Sequence, residues 1–412
     1  MNDKNSNIML SPLGLDKPSE IMEQFNDIGN KTLEMLRRHV ASPGDKKEQR
    51  TWGIQEAAKL IGTTPPSLRK WEQDGVLEKP KYDTNGRRCY TLADINLCRD
   101  KLGKRYHRPK NSKPIIEAVS NFKGGSAKTV TTAHQAHYMA LKGLRVLVVD
   151  LDPQATTTFI IGGLIPDLEI NPEDTIYKAL MEDASDITRV IKHSHFTGVD
   201  FVPANLAIQD IELGLPNPEL SNIESLGSPA TRLKSVLALV EDQYDVILLD
   251  CGPNLGILTI NAIIAANSLL IPIPPSMLDY ASFVMLTGTL SNLFDVLNKE
   301  ITFFRILLTK HSGSNEAIEI ENMIRKQFGD YVLNNYMKET VEIAKATNDL
   351  GTVYETTKHR GSRETYKRAI NYLDNVYSEM LSLYKRVWKD QVELASASTS
   401  STEINEKEPA HE

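Results

Sequence analysis

Apolar residues recur along this chain in two rhythms, and the change from one to the other divides it. Over residues 19 to 40, Ile21, Phe25, Ile28, Leu36 and Val40 fall mostly at steps of three and four, which predicts an amphipathic helix. Ser42-Pro43-Gly44 ends it, and the spacing defines a buried face without deciding whether this chain or a second copy covers it. From Trp52 to Gly75 the helical rhythm returns: Ile54, Ala57, Ala58 and Ile61 share one face, Gly62-Thr63-Thr64 turns the chain, and Pro65 or Pro66 opens a second short helix in which Leu68 and Trp71 face inward. KPKYDTNGRRCYTLADI at 79 to 95 then sets Asn85-Gly86 between two extended arms, the pattern of a hairpin. After a polar basic connector, KRYHRPKNSKP, the rhythm changes at Ile115. IIEAVSNF, RVLVVDLD, DVILLDCG, SLLIPIPP and FFRILLTK are near-continuous apolar strands separated by helical stretches, the pattern of an α/β, doubly wound parallel sheet covered on both faces. A last helix runs from Arg363 to Trp388, with Tyr366, Ile370, Leu373 and Val376 or Tyr377 inward.

The predicted units are therefore an N-terminal helix (1–49), a small DNA-reader-like domain (50–106), a linker (107–114), an α/β domain with its terminal helix (115–389) and a tail (390–412). The tail is rich in Ser, Thr and Glu, with 6 acids against 1 Lys, and is expected to be disordered. At 412 residues the chain exceeds what one core usually organises. Its 3 cysteines form no Cys-x-x-Cys pair, which suits a reducing compartment and excludes a zinc ribbon or an iron-sulphur ATPase. The opening MNDKNSNIMLSPLG lacks a secretory pattern, and the apolar stretch from Ile257 is broken by Asn261, Asn267 and prolines, so a cytoplasmic protein without membrane attachment is expected. The net charge of -7 hides two basic islands. Residues 50 to 113 hold 15 Lys and Arg against 7 acids, and 357 to 389 hold 8 against 3.

The strand IIEAVSNF runs into KGGSAKT at 123 to 129, followed by a helix. That order makes a phosphate cradle: main-chain N–H groups from Gly124, Gly125, Ser126, Ala127 and Val130 surround the anion, Lys128 pairs with it, and Thr129 is placed to ligate Mg²⁺. A strict P-loop has glycine at the positions of Phe122 and Ala127; here Lys123 is added instead. Taken singly, a glycine pair before a lysine is often only a turn, and an Asp ending a strand is often only a cap. Cys251 reads as a small buried residue, and His134 and His137 as packing or surface groups.

KGGSAKT, VDLDPQAT at 149 to 156 and VILLDCGPNLG at 246 to 256 together resemble the deviant-Walker ATPases of the ParA/MinD group, with the ParA-type partition proteins the best fit. The resemblance implies ATP/ADP and Mg²⁺ as cofactors and a homodimer in which Lys123 reaches the phosphates held by the other subunit. It implies that Asp152 positions the attacking water, that Asp150 supports the metal's water shell and competes for the water-positioning role, and that Asp250 and Gly252 lie beside the metal and switch. Phosphoryl transfer is mainly positioning and charge neutralisation, so two lysines and acids at strand ends form a coherent set. Ala127 is expected to constrain the loop and slow turnover.

The amino-terminal module resembles the winged helix-turn-helix of MerR-like regulators, with Ser67, Arg69 and Lys70 on the second helix and Arg87 and Arg88 on the wing as candidate DNA contacts. Arg360, Arg363, Lys367 and Arg368 correspond to the region that gives ParA-type proteins sequence-independent DNA binding; the plainer reading is a solvated helix face. The implied protein is a partition ATPase of the larger kind, similar also to the RepA component of RepABC systems. It would bind operator and non-specific DNA, answer to a ParB-like partner and associate with the nucleoid. Two other readings are a repressor gated by ATP without a cargo role, and a MinD-like membrane positioner, which the acidic tail disfavours.

Overall fold

The computed structural model describes residues 18–40, 47, 49–217, 227–356 and 362–405. The chain forms two units, Met1–Glu48 and Gln49–Glu412. The first is helix α1 (Pro18–Val40), on which Met22, Phe25, Ile28 and Met35 are exposed.

The second unit begins with helices α2 (Ile54–Ile61) and α3 (Pro65–Gln73). Gly62 closes α2 in the left-handed region, and the Thr64 hydroxyl caps α3 by accepting from the Ser67 N–H at 3.3 Å. A two-stranded antiparallel wing follows, β1 (Lys81–Tyr82) and β2 (Arg88–Cys89). Its tip is closed by Asp83, whose carboxylate accepts from the N–H groups of Asn85 and Arg87 at 2.9 and 2.7 Å. Helix α4 (Leu92–Lys101) opens with a reciprocal Thr91–Asp94 capping box.

The rest is a 7-stranded sheet of β3 (Ile115–Val119), β4 (Val146–Leu151), β5 (Lys192–His193), β6 (Val199–Val202), β7 (Val246–Cys251), β8 (Ser268–Ile273) and β9 (Phe303–Leu308), in the order β5-β6-β4-β7-β3-β8-β9. Every neighbouring pair is parallel except β5 with β6, so the expected all-parallel sheet acquires one short antiparallel edge. At two residues β5 is too short to show a strand rhythm in sequence.

Helix α5 (Lys128–Leu141) follows the phosphate loop, α6 (Ile257–Ala265) follows β7, α7 (Met277–Leu297) follows β8, and α8 (Asn315–Phe328) follows β9. Ile116, Ala118, Leu147, Val149, Ile247 and Leu249 point to the face covered by α6, α7 and α8. Val119, Val146, Val148, Val246 and Leu248 point to the other face, where α5 lies beneath a long terminal helix, α9 (Arg363–Asn405). Tyr366, Ala369, Leu373, Val376, Tyr377, Met380, Tyr384 and Trp388 form the buried stripe of α9. The same core continues into the winged module through Ala57, Ile61, Leu68 and Ile95. Helix α9 runs on to Asn405, so the tail expected from Asp390 begins as helix; its polar composition does not stop a helix already nucleated by the packed turns before it.

Candidate functional site

The loop between β3 and α5 is shaped by two left-handed residues, Gly125 at φ 77° and Ala127 at φ 71°. Glycine adopts this region freely, whereas an alanine there costs about 1–2 kcal/mol, so Ala127 is the strained point of the loop. Lys128 heads α5 and is buried. Its ammonium donates to the Lys123 carbonyl at 3.2 Å and has no carboxylate within ion-pair reach among the described residues. Burial pulls its pKa down, and Asp250 opposes this. The buried Ser126 hydroxyl has no hydrogen-bond partner among the described residues. A desolvated cation and an idle hydroxyl at a helix N-terminus fit a phosphate chain.

Three acids close the other side. Asp150 and Asp250 are register partners on β4 and β7, both buried. Asp250 accepts from Thr129 Oγ1 at 2.8 Å, Thr157 Oγ1 at 2.6 Å and Thr132 Oγ1 at 3.2 Å. Asp150 accepts from the Thr158 N–H and hydroxyl at 2.8 and 2.7 Å and from the Asp152 N–H at 3.2 Å. Burial raises both pKa values, and the neighbouring carboxylates add to the rise. A divalent cation is the natural partner for such a pair, and Thr129 with Asp250 supplies hard oxygen ligands. Asp152 lies half-buried outside them and accepts from the Gln154 N–H at 3.0 Å. It lies beside Gly252, where an added Cβ would be 3.8 Å from the Asp152 carboxyl carbon and 3.2 Å from Asn254 Oδ1.

Lys123 turns away from Lys128: its ammonium is 2.9 Å from Asp279 Oδ2 in the first turn of α7, with the two side chains 36% and 9% exposed. The sequence signalled this acid only as the end of Ser276-x-x-Asp279, in which Ser276 caps α7. Thr157, Thr158 and Glu212 were also missed. Glu212 reaches the segment after Asp250, accepting from the N–H groups of Ile257 and Leu258 at 2.7 and 3.3 Å and so capping α6 from outside it.

In the winged module Arg69 and Lys70 are exposed on α3 and Arg87 on the wing tip, while the Ser67 hydroxyl is 2.9 Å from that of Thr64. Arg88 differs from expectation: its Nε is 3.0 Å from buried Glu72 on α3, and its guanidinium lies over Tyr82. It anchors the wing to α3 instead of facing outward, because Glu72 also accepts from the Tyr90 hydroxyl and needs a cation to balance its burial. Arg363, Lys367 and Arg368 are exposed on α9, and Arg360 lies outside the described residues. His134 and His137 are buried packing groups. Burial pulls the His134 pKa down to about 4, and the His137 ring stacks on Phe196 at 4.0 Å. Among the described residues no helix is long and apolar enough to cross a membrane.

A phosphate loop on a mainly parallel sheet, with a winged helix-turn-helix ahead of it, defines a P-loop nucleotide-binding protein fused to a DNA-binding module. Family models agree: an AAA domain matches residues 114–303, and a MerR family regulatory protein matches 53–90. The chain belongs to the ParA-type partition ATPases. It is 34% identical over 389 residues to Protein SopA of Escherichia coli K12, covering 90% of this chain and 99% of that protein. It is 35% identical over 390 residues to the putative replication protein A of Sinorhizobium fredii, covering 90% and 95%. A solved structure described as a Partition Protein shares the fold with a TM-score of 0.58 at 21% identity, covering 79% of this chain and 95% of that one.

Proposed function

We propose that this protein hydrolyses ATP to drive DNA partition, with nucleotide selecting between two modes of DNA binding. The observation that carries the reading is the pair of lysines on one loop: Lys128 is buried at the head of α5 beside the acids at the ends of β4 and β7, and Lys123 is held by Asp279 of α7. Lys128, the loop N–H groups and Ser126 bind the phosphates of ATP or ADP. Thr129 and Asp250 would hold Mg²⁺, with Asp150 beside them. The ion supplies neutralisation of phosphate charge. Asp152, more exposed than Asp150, orients the attacking water. Lys123 leaves Asp279 to complete the site of a second copy, which makes the ATP-bound form a homodimer.

In that dimer the exposed Arg363, Lys367 and Arg368 contact the phosphates of arbitrary DNA, and a ParB-like partner accelerates hydrolysis. In the ADP form, Arg69 and Lys70 on α3 and Arg87 on the wing read an operator, making the protein an autorepressor. The protein works in the cytoplasm, on the nucleoid.

The test is binding to a duplex of arbitrary sequence without nucleotide, with ADP and with ATP, for the natural protein and Asp152→Ala. ATP-dependent, salt-sensitive coating that lasts longer in the variant is the expected result. Binding indifferent to nucleotide, or confined to one site, would replace this reading with a gated repressor that has no cargo role.

A further inference from the structure

Arg99, on α4, is 4% exposed, yet no carboxylate lies within ion-pair reach of it among the described residues. Its guanidinium is held by neutral oxygens. Nε and Nη2 donate to the Leu60 carbonyl at 3.1 and 2.6 Å, Nη2 also donates to the Leu141 carbonyl at 2.8 Å, and Nη1 donates to Asn96 Oδ1 at 2.8 Å. Leu60 lies in the last turn of α2, and Leu141 is the last residue of α5. Helix C-terminal carbonyls have no acceptor role left within the helix and carry the negative end of its dipole, so one buried cation satisfies two helix ends at once.

The other end of α5 is the phosphate loop, with Lys128 and Thr129 as its first two residues. Its 14 residues span about 20 Å. Nearly all of them are buried, so the helix moves as one body or not at all. Helix α2 packs on α3, which carries Arg69 and Lys70. Two more arginines of the module grip main chain in the same way: Arg105 Nε donates to the Gly143 carbonyl at 2.8 Å, and Arg50 Nη1 to the Tyr354 carbonyl at 2.7 Å. Of these three arginines, Arg99 is the one that bonds both α5 and α2. Gly143, at φ 94°, leaves room for the arginines, since an added Cβ would lie 3.1 Å from Arg105 Cγ and 3.5 Å from Arg99 Nη1.

We propose that Arg99 is the positioning residue that couples the phosphate loop to the DNA-reading helix, by tying the far end of α5 and the end of α2 to one guanidinium. Filling the loop shifts α5, and α2 and α3 follow. The planar fork of arginine spans two carbonyls in a fixed geometry, which the single ammonium of lysine does not. This proposal rests on the loop being an ADP/ATP site.

Hydrogen exchange on the full chain, with and without ADP and Mg²⁺, tests it without knowledge of the operator. In the natural protein, ADP is expected to slow exchange in residues 123–130 and to change it at least about fivefold in residues 54–73, the lower end of ordinary coupling. Arg99→Lys is expected to keep the first response and lose the second. Should that variant not fold, Asn96→Ala, which removes one of the four bonds, is expected to weaken the second response in part. A protected loop with an unchanged 54–73 in the natural protein overturns the coupling alone, as does a full response in Arg99→Lys. No protection of 123–130 overturns the nucleotide site itself, and the coupling with it.

Discussion

Glu117 lies at the centre of β3, fully buried between Ile115 and Val119, and accepts from Gln135 Nε2 at 2.7 Å. Burial pushes its pKa up to about 7, against the opposing pull of Gln135 and the Tyr384 hydroxyl. The folded state therefore holds a proton that the unfolded chain releases near the ordinary carboxylate value. Its stabilising contribution is complete below about pH 4.5 and is lost as pH rises through about 7. Glu117→Gln should remove that loss, so thermal melts at pH 5 and pH 8 should differ less for the variant than for the natural protein. A second single-residue test concerns Asp279. Asp279→Asn keeps the turn with Ser276 but frees Lys123, whose side chain is partly exposed while that of Asp279 is buried, and the ion pair contributes about 1 kcal/mol. The ATP concentration that half-saturates dimer formation, followed by sedimentation, should fall by up to about fivefold. An unchanged midpoint would mean that Lys123 is not restrained by this contact. The placement of the loop and of the acids at the strand ends was legible in the sequence because each lies in a contiguous run at a strand end. Asp279, Thr157, Thr158, Glu212 and Arg99 were not, since their partners are brought close only by the fold. The pairing of Arg88 with Glu72 was hidden for a related reason: two adjacent arginines on a wing do not say which one the turn leaves facing α3.

Between residues and molecule, the start of α6 is held by a neighbour instead of by its own cap. Gly256 has an ordinary backbone, yet an added Cβ would lie 2.2 Å from Glu212 Oε2. The carboxylate is the free end of a flexible side chain and can swing away, giving up its bonds to Ile257 and Leu258. Gly256→Ala and Glu212→Ala should therefore each cost about 1 kcal/mol, the ordinary value of a cap, and the double variant should cost little more than either. Additive losses in chemical denaturation would show that the two act separately. At this scale most of the fold was readable, since apolar strands of six residues separated by helices leave few other arrangements. The extent of α9 was not, because composition describes a segment in isolation whereas a helix end depends on the turns before it.

At the scale of the whole molecule, both apolar cores of the described residues lie within Gln49–Glu412. Removing residues 1–48 should leave the melting temperature of the remainder unchanged. If the exposed Met22, Phe25 and Ile28 of α1 pair two copies, sedimentation of the truncated protein without nucleotide should show a reversible monomer. An unchanged dimer would assign pairing to the larger unit. The attachment of the winged module has a different kind of consequence. Arg50, Arg99 and Arg105 all grip the P-loop domain by main-chain carbonyls, those of Tyr354, Leu141 and Gly143. A carbonyl is present at every position whatever the side chain, so these bonds ask little of the residues that lend them, whereas Gly143 must stay small and the shared apolar core must stay complementary. Such a joint tolerates drift in the residues that lend their carbonyls, while the packed side chains around it oblige the winged module and the P-loop domain to change together.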